Sequence, residues 1–187
     1  MINAQHPDLI ERSAAAMIAA LGYGGEVLDQ TPRRIAAALT ELTAGEHTDP
    51  AELLAVTFPA DADEMIVLRR VPLVSLCEHH LMPFTGYATV GYIPEPGAGV
   101  VGVSKLARVV EVYSRRLQIQ ERLTAQIADC IEHGLKTVGV AVTISAVHSC
   151  LALRGVRKDG AHLITSVTRG AFRDNPAARA EFFALAQ

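Results

Sequence analysis

The strongest constraint on how this chain folds is a hydrophobic period that changes twice in its middle. Met65–Leu76 and Phe84–Ile93 are dense in Val, Ile, Leu, Thr and Tyr and are bounded by proline and glycine, which predicts two β-strands. Two helical stripes follow. Leu106, Val109, Val110 and Tyr113 come after Ser104, which reads as an N-cap; Ile119, Leu123, Ile127, Ile131 and Leu135 come after a break near Leu117. From Val138 to Val156 the β-branched residues return, and on a regular strand Val142, Ile144, Ala146, His148 and Cys150 would share one side. The order strand, strand, helix, helix, strand, strand predicts an α+β fold with antiparallel pairing.

In front of this body lie two helical patterns. One runs from Pro7 to Leu21, and the other is opened by Thr31-Pro32 as N-cap and first turn, with Ile35, Leu39 and Leu42 on one face and Gly45 at its end. Pro50–Glu64 has no clean period and reads as a connector, and a last helix is expected over Pro176–Ala186. This divides the chain into a helical region, residues 1–60, and an α+β body, residues 61–187, working as a single unit. A chain of 187 residues is long enough to bury a core in one domain.

A formal charge of −3 gives no basic excess for nucleic acid or an anionic membrane, so any anion site must be local. Met1-Ile2-Asn3 runs into His6-Pro7-Asp8 without a basic and then apolar leader, and no apolar run reaches the length of a membrane span. A cytoplasmic protein is expected. There, three cysteines point to metal or catalytic use rather than to a disulfide framework.

Two of the three have histidine company. Cys77-Glu78-His79-His80 sets a thiol and an imidazole three residues apart, and His148-Ser149-Cys150 repeats the mixture far along the chain. Zinc takes such S and N donors. With Cys77, His80 and Cys150 as ligands, the ion keeps an open position at which a water would acidify toward a pKa of about 7. With His148 as a fourth ligand the site would be closed and structural. In the open arrangement His79 and His148 are free imidazoles able to carry protons near neutral pH. Glu78 reads equally as an orienting carboxylate or a solvated charge, and Cys130 as a small apolar residue on a helix.

Weaker signals surround this set. Ser104-Lys105 at a helix start, with Arg108 one turn on, offers an anion site, and Arg154 follows Cys150. Gln120-Glu121 opens the second helix of the pair; a carboxylate there accepts the two N–H donors of a guanine edge, or simply complements the helix dipole.

Taken together, Cys77-Glu78-His79-His80, Gly102-Val103-Ser104-Lys105 with Arg108, Gln118-Ile119-Gln120-Glu121-Arg122-Leu123, and Val147-His148-Ser149-Cys150 with Arg154-Gly155 closely resemble GTP cyclohydrolase I, in order and over roughly Thr31 to Phe172. The resemblance implies a tunnelling fold, a toroidal homodecamer with active sites between subunits, and zinc on Cys77, His80 and Cys150. It implies His79 and His148 as proton carriers, Gln120 and Glu121 for guanine, and Ser104, Lys105, Arg108, Arg154 and Arg34 for the triphosphate. The implied reaction is hydrolysis of GTP at C8, loss of formate and rearrangement to 7,8-dihydroneopterin triphosphate. Rivals are a catalytically silent nucleotide-binding relative with a structural zinc, an NADPH-dependent nitrile reductase of the same fold, and the same ring opening feeding a specialised purine pathway. The chain departs from the family pattern at Leu117, where proline is usual, at Ala161–Ser166, which is poorer in threonine, and at Thr168-Arg169.

Overall fold

Two helices, α1 (Pro7–Ala20) and α2 (Glu26–Leu42), lead the chain as a packed hairpin in the computed structural model, which describes residues 5–187. Met1-Ile2-Asn3, read above for a leader, lies outside the described residues. Thr31 is not the N-cap of the second helix. Gly25, at φ +59°, turns the chain in a left-handed conformation that glycine adopts without strain, so α2 starts at Glu26 and Pro32 sits inside it with its ring buried. Glu26 and Asp29 occupy the first turn, where the helix dipole favours them.

The connector is more ordered than its composition suggests. It contains 3-10 turns at Ala44–His47 and Pro50–Leu54, the second opened by Asp49, whose carboxylate accepts from the Ala51 N–H at 3.0 Å. Leu54 is buried so tightly beneath α4 (Gln120–Gly134) that a Cβ on Gly134 would stand 2.7 Å from its methyl. Beyond it, β1 (Thr57–Phe58) pairs with β4 (Val100–Val101) as a two-stranded ribbon.

The body is a five-stranded sheet in the order β5-β2-β3-β6-β7, formed by β2 (Ile66–Cys77), β3 (Pro83–Pro94), β5 (Leu117–Gln118), β6 (Thr137–His148) and β7 (Leu163–Gly170). The β2–β3, β3–β6 and β6–β7 pairs are antiparallel, as the strand pattern predicts; only the short β5 runs parallel to β2. Between the two halves come α3 (Val103–Ser114) and α4, so strand, strand, helix, helix, strand, strand is the order found, that of the tunnelling fold. Gly102, not Ser104, caps α3, and Ser104 lies in its first turn.

Alternation along the strands decides the layers. Phe84, Ala88, Val90 and Tyr92 of β3 and Val140, Val142, Ile144 and Ala146 of β6 are sealed against Leu106, Val109 and Val110 of α3 and Leu123, Ile127 and Ile131 of α4. Each such Val, Leu, Ile or Phe side chain contributes about 1.5–3 kcal/mol by leaving water. A smaller cluster of Ala141, Phe172 and Phe182 joins α6 (Ala171–Asp174) and α7 (Pro176–Ala186), the last helix close to the range expected.

The third β-branched segment ends sooner than expected. β6 stops at His148, and one helical turn, α5 (Ser149–Ala152), follows. Cys150 therefore does not continue the strand's alternation.

Candidate active site

That helical turn is what swings Cys150 toward the end of β2. Cys77 closes β2, and the chain then reverses tightly: the Cys77 N–H donates to Met82 O at 2.9 Å, the Leu81 N–H donates back to Cys77 O at 2.9 Å, and Leu81 sits at φ +53°. Such a backbone in a bulky residue costs about 1–3 kcal/mol and persists only where its surroundings enforce it. The reversal curls His80 over Cys77, with Nδ1 4.0 Å from Sγ.

Donor atoms of Cys77, His80 and Cys150 all lie within 4.8 Å of one another. Ligands bound at about 2.3 Å (S) and 2.0–2.1 Å (N) in a tetrahedron stand roughly 3.5 Å apart, so a small contraction would close this set on one ion. Burial pushes the Cys150 thiol up, and Cys77 beside it pushes it further. Two thiols pressed together in this way favour a cation, which takes thiolates and reverses the preference. Cys77 is buried, Cys150 half-buried and His80 exposed, so the group opens to one side.

His148 is not one of the three. Its Nε2 lies 2.9 Å from Gln120 Oε1, and its ring stacks on Phe84, its cross-strand partner, at 4.4 Å between centroids and 8° between planes. Burial lowers its pKa, and the nearby Glu121 carboxylate raises it in part. His79 projects outward, with Nδ1 3.9 Å from Cys77 Sγ. The chain thus brings together three metal-capable donors and two free imidazoles.

Glu78 proves to be tied down: Arg122 bonds its carboxylate while also donating to Gln118 Oε1 and Leu117 O, each at 3.0 Å. This clasp fixes the start of the Cys77–His80 turn to the head of α4. Arg122, Phe84, Thr124 and Thr165 are site-supporting residues that the sequence reading missed; only Arg122 carried a local signal, four residues after Gln118 on the same face.

The expected guanine pair divides. Glu121 is exposed, whereas Gln120 is buried with its amide fully engaged. Cys130 packs against the core beside Tyr113, as an apolar residue should.

The phosphate candidates are not gathered. The C-terminal end of α3 meets the Cys77 end of β2, where Ser75 Oγ donates to Arg116 O at 3.3 Å. Ser104 and Lys105 stand at the opposite end of this helix, roughly 15 Å away at 1.5 Å per residue. Arg108 lines a groove against Val71–Val74, Arg154 is close enough to Cys150 to act on its thiol, and Arg34 is exposed on α2. A cavity of about 780 Å³ lies on the sheet face away from α3 and α4, lined by Arg70, Tyr87, Ser145 and His162 among others, and contains none of the site residues. No helix of the described residues is long and apolar enough to cross a membrane.

A family model described as GTP cyclohydrolase I matches residues 10–187. Relatives named GTP cyclohydrolase 1 include one from Dehalococcoides mccartyi, 50% identical over 95% of both chains. Another, from Corynebacterium glutamicum, is 47% identical over 94% of this chain and 92% of its own. Among solved structures, the apo form of the archaeosine synthase QueF-Like superposes with a TM-score of 0.47 at 17% identity, covering 57% of this chain and 93% of its own. A match spanning the helical hairpin, the Cys-His turn and the closing helix leaves no part of the body outside one lineage: the chain belongs to the GTP cyclohydrolase I family.

Proposed function

We propose that this protein opens the imidazole ring of GTP by hydrolysis at C8, releases formate and recloses the product as 7,8-dihydroneopterin triphosphate, the first step toward tetrahydrofolate. Beside family membership, the observation that carries this reading is the Cys77, His80, Cys150 group with His148 held outside it by Gln120. A silent zinc protein would have no use for two imidazoles kept off the metal and close to it.

Cys77, His80 and Cys150 would hold zinc, which when bound supplies the Lewis acidity that activates water. His148 exchanges protons with the purine nitrogens as the ring opens, and His79, at the exposed rim, serves proton transfers that face solvent. Glu121 accepts the guanine N1–H and amino donors, which an adenine edge does not offer. Ser104 and Lys105 in the first turn of α3, with Arg108, Arg154 and Arg34, supply positive charge and N–H donors for the triphosphate.

The span of α3 between the metal end and Ser104-Lys105 supports a site shared between copies of the chain. We therefore read the active form as a homo-oligomer, a decamer in the cytoplasm, in which the α3 of one copy faces the metal of its neighbour. Incubating the metal-analysed protein with GTP tests the activity. Formate, together with pterin fluorescence after oxidation, is expected and should vanish on chelation and return with zinc. Protein carrying one zinc per chain that yields neither product overturns it.

A further inference from the structure

Gln120 stands at the head of α4 with 1% of its surface exposed. A side-chain amide has two donors on nitrogen and acceptor lone pairs on oxygen, and its surroundings decide which end points where. Here they leave one choice. The carbonyl oxygens of Ile144 and Leu163 lie 3.1 and 2.9 Å from one end, and carbonyls only accept, so that end is Nε2. Reversed, the amide oxygen would face those oxygens in the interior, at about 1–3 kcal/mol for each buried group left unsatisfied. The end lying 2.9 Å from His148 Nε2 is therefore Oε1. It can only accept, so His148 Nε2 carries the hydrogen and the neutral ring keeps its lone pair on Nδ1.

The arrangement is backed by two hydroxyls. Thr165 Oγ1, 3.1 Å from Gln120 Nε2, is a third acceptor that shares one of its two hydrogens, and the fully buried Thr124 Oγ1 donates to Gln120 O at 2.7 Å. With its one hydrogen so used, Thr124 accepts from the Thr165 hydroxyl at 2.6 Å. Which group donates and which accepts is then set along the whole chain of bonds, and the stacked Phe84 fixes the plane of the ring.

We infer that Gln120 is a positioning residue for the ring-opening reaction, holding His148 as the Nε2–H tautomer so that Nδ1 is the nitrogen that exchanges protons with the substrate. The inference rests on the cyclohydrolase reading and moves the Gln120 side chain from guanine to His148. A proton gained at Nδ1 gives an imidazolium whose Nε2–H stays on Oε1. Its delivery to a purine nitrogen restores the same neutral tautomer, with no rotation of the ring.

Two readouts decide it, both on the zinc-loaded full chain. In spectra of protein labelled with 15N-histidine at mildly alkaline pH, the His148 signals are those absent from His148→Ala; Nε2 protonated is expected, turning into a tautomer mixture in Gln120→Met. Nδ1 protonated in the unsubstituted protein overturns the inference. In formate-release kinetics Gln120→Met should lower kcat about 10- to 100-fold. Its KM for GTP should hold, and in a His148→Ala background the same change should cost no more than about twofold. A raised KM at full kcat, or an equal loss in both backgrounds, overturns it. Should Gln120→Met fail to fold, Thr165→Val is expected to slow kcat and Thr165→Ser to restore it; an unchanged kcat in Thr165→Val counts against the inference. Unsubstituted protein releasing no formate sinks the cyclohydrolase reading instead, and the nitrogen spectrum still reports the tautomer.

Discussion

At the scale of single residues, the two histidines beside the metal group differ in surroundings rather than in type. His148 is stacked and hydrogen-bonded, and burial lowers its pKa, whereas His79 keeps 65% of its side chain in solvent. His148→Ala is therefore expected to lower formate release by roughly 10²–10⁴-fold, the usual range for a positioned acid–base group. Some ring-opened intermediate should still be seen by chromatography, and finding none under saturating GTP would count against this role. Removing a donor acts differently. Cys77→Ser, His80→Ala or Cys150→Ser should drop zinc content well below one per chain by elemental analysis, with activity falling in proportion. These residues were legible in the sequence because Cys and His in short spacing have few other uses. Thr165 and Phe84 were not, since nothing near them in the chain marks them as neighbours of Gln120 and His148.

At the scale of elements, the errors share a cause. Thr31 and Ser104 have good capping chemistry, yet glycines at 25 and 102 mark where the backbone actually turns into the helix. A β-branched composition carries no mark of where β6 ends; the helical turn that begins at Ser149 brings Cys150 beside Cys77. The β3–β6 pairing that puts Phe84 against His148 depends on Gly86, where a Cβ would stand 2.0 Å from Ser145 O. Gly86→Ala should therefore destabilise the protein by about 1–3 kcal/mol or more in denaturant melts, and by displacing His148 should lower kcat as well. Between α3 and α4, burial and the adjacent Cys130 thiol push the Tyr113 phenol up to about 12. The fold favours the neutral phenol, while the unfolded chain ionises near pH 10. Its contribution is thus intact below about pH 10 and is lost as pH rises toward 12. Cys130, also raised by burial, begins to contribute a loss at lower pH. Tyr113→Phe should remove only the upper part of the alkaline fall, as read in urea melts across this range.

At the scale of the whole molecule, the single chain looks incomplete. Much of the outer edge of β2 beyond β5 and the outer edge of β7 have no strand beside them among the described residues, and α1 with its C-cap exposes Leu9, Met17 and Leu21. Unpaired edges invite addition of strands from other copies, and closed rings remove them. Light scattering is expected to give the mass of a decamer, and Met17→Glu with Leu21→Glu to reduce it. A monomer that retains full activity would refute the shared site. The sequence by itself determined the order of strands and helices, the buried faces and which cysteines and histidine are able to hold a metal, because periodicity and side-chain chemistry are local properties. Only the tertiary structure decided that Cys150 reaches Cys77 through a helical turn, that the Gln120 amide faces His148, and that Ser104 and Lys105 stand a helix length from the Cys77 end of β2. Those are facts of strand register and burial, fixed by contacts between residues far apart in the chain.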